Sequence, residues 1–214
     1  MKPWATGAHW CCGRDLGFPT LRVIAWRVEL DQLEIEVLRG IEIPKMSPRR
    51  RHARLQSTLL RIIEEWAGER GEVCPEWRCW ISRAPQDEET SLVPDIAFVS
   101  LERLAPLGDE DAEEPPFAPD IAVEIRSPGD RERNIRTKAA LYLSSGAHLV
   151  LDVDPARRVV TAFTGTGEQR YGDGDIFTHS AFPGLSFDVR DLFSSADRKV
   201  VSGATPEAAR DEAQ

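Results

Sequence analysis

The 214-residue sequence predicts an α/β fold with α+β-like elaborations, in which a central mixed β-sheet is flanked by helices. Three observations carry that prediction. Ile121, Val123 and Ile125 alternate with Ala122, Glu124 and Arg126, which is the two-residue period of a short strand. A helical pattern over 131–145 follows, with Ile135, Ala139, Tyr142 and Leu143 on one side, and then a nearly all-apolar strand over 148–153. Such a strand–helix–strand unit asks for a right-handed crossover and permits parallel pairing. Upstream, Leu33, Ile35 and Val37 alternate against Glu34, Glu36 and Leu38, and Gly40 allows a tight turn into 41–43. That is an antiparallel hairpin, so the sheet content is mixed.

The remaining elements follow in chain order. Residues 1–30 hold Trp4, Trp10, Cys11 and Cys12 without a clear period, and are read as an N-terminal extension. Ser47 and Pro48 supply a cap and a first-turn proline for a helix whose stripe is Leu55, Leu59, Ile62, Ile63 and Trp66, ending near Gly68 or Gly71. Residues 72–82 read as one strand, 86–90 as a polar turn, and 92–99 as a strand bearing Asp95, with Pro94 at its beginning or on an edge. The stretch 105–119 is rich in Pro, Asp and Glu and reads as an exposed loop. Asp130 can cap the helix over 131–145, and Gly146 stops it. Asp154-Pro155-Ala156-Arg157 is a turn into a strand over 158–163, and 164–174 is hairpin-like. The segment 182–189 packs back on the core, and from 194 a flexible tail is expected. One domain, 31–193, is the result.

With 36 acids against 27 Lys and Arg, the formal net charge is -9. That argues against a broadly basic nucleic-acid coat, though not against an enzyme that meets a phosphodiester through a metal. Cys11, Cys12, Cys74 and Cys79 lack zinc-finger spacing and read as buried or incidental thiols. No apolar run is long enough for a bilayer and no signal-peptide core is present, so the expected location is cytoplasmic and off the membrane.

The chemistry lies in a few charges. Glu124 and Arg126 share one face of a mostly apolar strand, and Asp95 sits in a second apolar run. Two carboxylates on neighbouring strands can hold a hard divalent ion such as Mg2+, which keeps several waters and can activate one for attack on phosphorus. Lys138, within the next helix, can position or deprotonate that water, or neutralise the transition state. Arg126 can clamp phosphate but is a poor base because it stays protonated, so the base-like role is assigned to Lys138. His52 falls on the apolar stripe of its helix, as a structural histidine or as one pointing at the charged site. Arg49, Arg50, Arg51 and Arg54 form the densest basic patch; cations at a helix N-terminus oppose its dipole, which favours a phosphate-holding role. Structural ion pairing explains the same charges without any chemistry.

The ordered set Val93-Pro94-Asp95-Ile96-Ala97-Phe98-Val99, Pro119-Asp120-Ile121-Ala122-Val123-Glu124-Ile125-Arg126-Ser127-Pro128, Lys138 with Tyr142, and Asp152-Val153-Asp154-Pro155 resembles the Uma-type restriction endonuclease family of the PD-(D/E)xK nuclease superfamily. Leu38-Arg39-Gly40, Met46-Ser47-Pro48 followed by His52, and the closing 183–188 extend the resemblance over roughly 31–193. It implies a restriction-endonuclease-like core and an endodeoxyribonuclease using Mg2+, with Mn2+ as a substitute. Asp95 and Glu124 take the place of the metal-binding acids. Arg126 stands where the signature has lysine, Lys138 resembles the lysine this family carries on the following helix, and Glu36 is a possible further acid. DNA is the implied partner, and a homodimer suits the cutting of two strands. The competing reading is an inactive nuclease-fold protein that binds nucleic acid or another protein.

Overall fold

The structure, a computed structural model, describes residues 35–44, 49–82 and 90–197. Expectations for the 1–30 extension, Cys11 and Cys12, Ser47 and Pro48, residues 86–89 and the tail from 198 lie outside them. The chain runs β1 (Ile35–Leu38), β2 (Ile41–Pro44), α1 (Arg50–Ala67), β3 (Gly71–Pro75), β4 (Cys79–Ser82), β5 (Thr90–Leu92), β6 (Ile96–Ser100), α2 (Leu101–Leu104) and α3 (Asp109–Glu113). It continues with β7 (Ile121–Ile125), α4 (Glu132–Ser144), β8 (Leu149–Asp154), β9 (Val159–Thr164), β10 (Gly167–Tyr171), β11 (Ile176–Thr178), β12 (Ser186–Asp188) and α5 (Val189–Asp197).

Among the described residues, a six-stranded sheet has the order β10-β9-β8-β7-β6-β3 and a four-stranded sheet the order β2-β1-β5-β4. β7 and β8 pair in parallel while the other neighbours of the larger sheet are antiparallel, so the expected mixed sheet is present. Alternation on β7 sorts its side chains. Ile121, Val123 and Ile125 join the core on which α1 buries Leu55, Leu59 and Ile63, and Ala122 joins the opposite cluster with Ala139 and Tyr142 of α4. Ile62 and Trp66, read as part of the α1 stripe, are only partly buried.

Three expectations change. The strand over 72–82 is two strands in different sheets: β3 pairs with β6 and β4 with β5, with a corner at Glu76, whose φ is 52°. The strand over 92–99 also divides, because Pro94 has no N–H to give a ladder, and Asp95 lies in the bend just before β6 rather than within it. Asp130 does not cap α4; its Oδ2 accepts from Ser127 N at 2.6 Å and closes the preceding turn, leaving Arg131 as the cap residue. The expected loop after β6 carries the short helix α3, and α5 continues the helical structure to Asp197. The Arg39–Gly40 turn, with φ values of 50° and 73°, joins β1 to β2 as the sequence anticipates.

Candidate active site

Pairing brings the acids together. Ile96 pairs with Val123, which sets Asp95, just before Ile96, beside Glu124, just after Val123. Asp95 is 2% exposed and its Oδ2 accepts from Ile125 N at 2.6 Å. His52 Nε2 of α1 stands 3.4 Å from Asp95 Oδ1, and His52 Nδ1 is buried without a hydrogen-bond partner among the described residues. The histidine that the stripe left ambiguous therefore faces the charged site.

Glu124 points to the α4 side. Lys138 Nζ donates to both its oxygens, at 3.1 and 3.0 Å, and the Tyr142 hydroxyl donates to Oε1 at 2.9 Å. Glu36 arrives from β1: its Oε1 accepts from Lys138 Nζ at 2.7 Å and from Val93 N at 3.1 Å. One ammonium thus serves two nearly buried carboxylates. Burial works against the Lys138 charge, but Glu124 and then Glu36 outweigh it and hold the ammonium above the usual lysine range. In this arrangement Lys138 keeps its proton, which suits it to stabilise charge and not to abstract a proton from water.

Arg126 lies elsewhere. Its Nε and Nη2 form a fork onto Asp152, Nη1 donates to Glu132 at 2.7 Å, and Asp154 Oδ2 is 3.6 Å from the same Nη1. The hydrogen bonds to Asp152, opposed by burial and helped by Glu132, hold this guanidinium above its already high range. Burial holds the Asp152 carboxyl above the usual range despite that fork. The two shifts point opposite ways for the pair: Asp152 is 1% exposed and bears most of the desolvation, so the pair is geometrically firm and electrostatically strained.

The basic patch is divided. Arg51 Nε pairs with Asp197 at 2.9 Å and Arg54 Nη1 donates to Ser195 O at 3.2 Å, both tying α1 to α5. Arg49 and Arg50 are exposed. Arg49, Arg51, His52, Arg126 and Arg157 line a cleft of about 440 Å³ at the carboxyl ends of β7 and β8, where α/β sheets commonly take ligands.

The family model described as "Uma2: Putative restriction endonuclease" matches residues 24–190. The chain belongs to the Uma2 family. No curated protein matches. Among solved structures, "a putative nuclease belonging to DUF820" from Anabaena variabilis ATCC 29413 is similar with a TM-score of 0.66 at 22% identity, covering 76% of this chain and 90% of that one. At that identity the likeness speaks for the fold, which is the nuclease fold anticipated from the motifs.

Metal ions are the usual implication of a Uma2-type site, and its donors suit a hard cation. Among the described residues no three His, Cys, Asp or Glu side chains form a ready cluster. The donors offered are the carboxylates of Asp95 and Glu124, whose backbones the β6–β7 pairing sets side by side; two is the number with which Mg2+ commonly makes do while keeping its waters. Among the described residues no helix is long and apolar enough to cross a membrane.

The sequence assigns no individual role to three groups of this site. The Tyr142 hydroxyl was read as part of an apolar face, although its i+4 spacing from Lys138 puts both on one side of α4. Asp152 enters the sequence reading only as part of a family motif and Glu132 not at all, yet both are partners of Arg126. Parallel pairing sets Asp152 directly beside Glu124, a relation that only the sheet order reveals.

Proposed function

We propose that this chain is a Mg2+-dependent endodeoxyribonuclease of the Uma2 family, with Mn2+ as a substitute ion, acting in the cytoplasm as a homodimer. The observation that carries the reading is the side-by-side placement of Asp95 and Glu124, with the Lys138 ammonium on Glu124. Asp95 and Glu124 would hold the ion, which would make a water acidic enough to lose a proton to solvent and attack phosphorus as hydroxide, and would offset charge on the non-bridging oxygens. The chain's own groups do the rest. Ile125 N fixes Asp95 through Oδ2. Lys138, held protonated, places positive charge beside the reacting phosphate without accepting a proton. Glu36 keeps that ammonium in reach. Arg49 and Arg51 on one wall of the cleft, and Arg157 on the other, offer donors to a phosphate backbone. Two copies would supply one site per DNA strand.

Supercoiled plasmid incubated with Mg2+ or Mn2+ tests this directly. Nicking is expected in wild type and absent in Asp95→Ala and Glu124→Ala. Cleavage that needs no metal and survives both substitutions overturns it. A second reading, a nuclease-fold protein that binds nucleic acid without cutting it, is favoured by one observation: Arg126, in the signature's lysine position, is committed to Asp152 and Glu132. Metal-dependent nicking lost in Asp95→Ala excludes that reading.

A further inference from the structure

Tyr142 is fully buried on α4, and its hydroxyl is directed at one atom, Glu124 Oε1, at 2.9 Å. A phenol is costly to bury unless its hydroxyl is bonded, and an apolar side chain would fill this space without that demand. Its neighbours Ala122, Ala139, Val150 and Phe163 are apolar, so Glu124 is the reason for an oxygen here. Lys138 reaches the same carboxylate from one turn earlier, but it is shared with Glu36 and stands on a long flexible stem. The phenol has two side-chain torsions and a packed ring. It is the rigid contact of the two.

We infer that Tyr142 is a positioning residue for Glu124 as an ion ligand: its hydroxyl holds Oε1 and sets the plane of the carboxylate, without touching Oε2. The inference rests on the metal-dependent reading proposed above. Partners that orient a ligating group typically change metal affinity by about 10–100-fold when removed.

Calorimetric titration of the full chain with Mn2+ tests the idea, comparing wild type, Tyr142→Phe, Glu124→Ala and Tyr171→Phe. Tyr171 donates to Thr178 O far along the chain and serves as a control for the loss of a structural hydroxyl. The expected result is a Kd weakened about 10–100-fold in Tyr142→Phe and unchanged in Tyr171→Phe. Should Tyr142→Phe not fold, wild type labelled with 13C at the tyrosine ζ carbon provides the second measurement. The chain has only 2 tyrosines, so Tyr171→Phe assigns both signals. The Tyr142 signal is expected to move on addition of Mg2+. Wild-type binding lost in Glu124→Ala, with Tyr142→Phe as tight as wild type or a Tyr142 signal that stays still, overturns the inference alone. No Mn2+ binding by wild type, or binding that persists in Glu124→Ala, overturns the metal reading and the inference with it.

Discussion

Replacing Lys138 with methionine removes one ammonium and leaves Glu36 and Glu124 facing each other in a site each exposes by only 6%. Lys138 Nζ sits 2.7 Å from Glu36 and 3.0 Å from the nearer Glu124 oxygen. At an effective dielectric near 20, each attraction amounts to roughly 6 kcal/mol, against a desolvation cost of several kcal/mol per ion. The net worth of the cluster is therefore small, but removing one partner strands the others. Breaking a buried pair in this way costs about 3–5 kcal/mol, a large part of the ~5–15 kcal/mol that holds a domain folded. Two like charges stranded in a buried site repel, and acid relieves that repulsion, so the loss should be smallest in acid and grow as pH rises. Urea unfolding of wild type and Lys138→Met at pH 5 and pH 8 measures both terms. A loss below about 1 kcal/mol, equal at the two pH values, would refute the argument that this ammonium neutralises the site.

The wild-type cluster has its own pH signature. Because the folded-state Lys138 ammonium titrates above the free-lysine value of about 10.4, its stabilisation should be fully present below that pH and lost as pH rises through the higher folded value; alkaline unfolding midpoints of wild type against Lys138→Met check the sign. Arg126→Met leaves Asp152 buried without its fork and should cost about 3–5 kcal/mol in denaturant unfolding, whereas a solvent-facing clamp would cost under about 1 kcal/mol. Gly71→Ala should destabilise by about 1–3 kcal/mol, because an added Cβ would lie 2.2 Å from Val99 O and 2.6 Å from the Phe98 ring; an unchanged Tm would show that β3 can move off β6. Burial pushes the Cys79 thiol up to about 12, so iodoacetamide at pH 8 should label it only after unfolding, as peptide mass mapping would reveal.

The parts of the fold that were legible are those whose information is local. β7 announced itself by period, α4 by its apolar side and Gly146, and the first hairpin by alternation around Gly40. The turn after β8 was legible because Asp154 Oδ1 accepts from Ala156 N and Arg157 N, a bond within four residues. The errors fell where one alternation spans two elements. Val73, Cys79 and Ile81 stay in phase across a corner set by Glu76, so nothing in the pattern marks the change of sheet. Helices of four or five residues, such as α2 and α3, are too short to show a period at all. For the site, sequence spacing named Asp95, Glu124 and Lys138 but not who holds whom. Arg126 and Glu124 share a strand face, yet one turns to Asp152 and the other to Lys138, a choice made by the neighbour across the parallel pair.

That division of partners also leaves the site a positive charge although Arg126 is committed to Asp152 and Glu132. Asp152 lies beside Glu124 and is more deeply buried, so an uncompensated charge there would add to the negative potential at the acids. The Arg126 fork neutralises Asp152 in place, with two parallel hydrogen bonds that a lysine cannot reproduce. Lys138 is left to Glu36 and Glu124. Since Glu36 belongs to the smaller sheet and Glu124 to the larger, the same ammonium links the two sheets at the site.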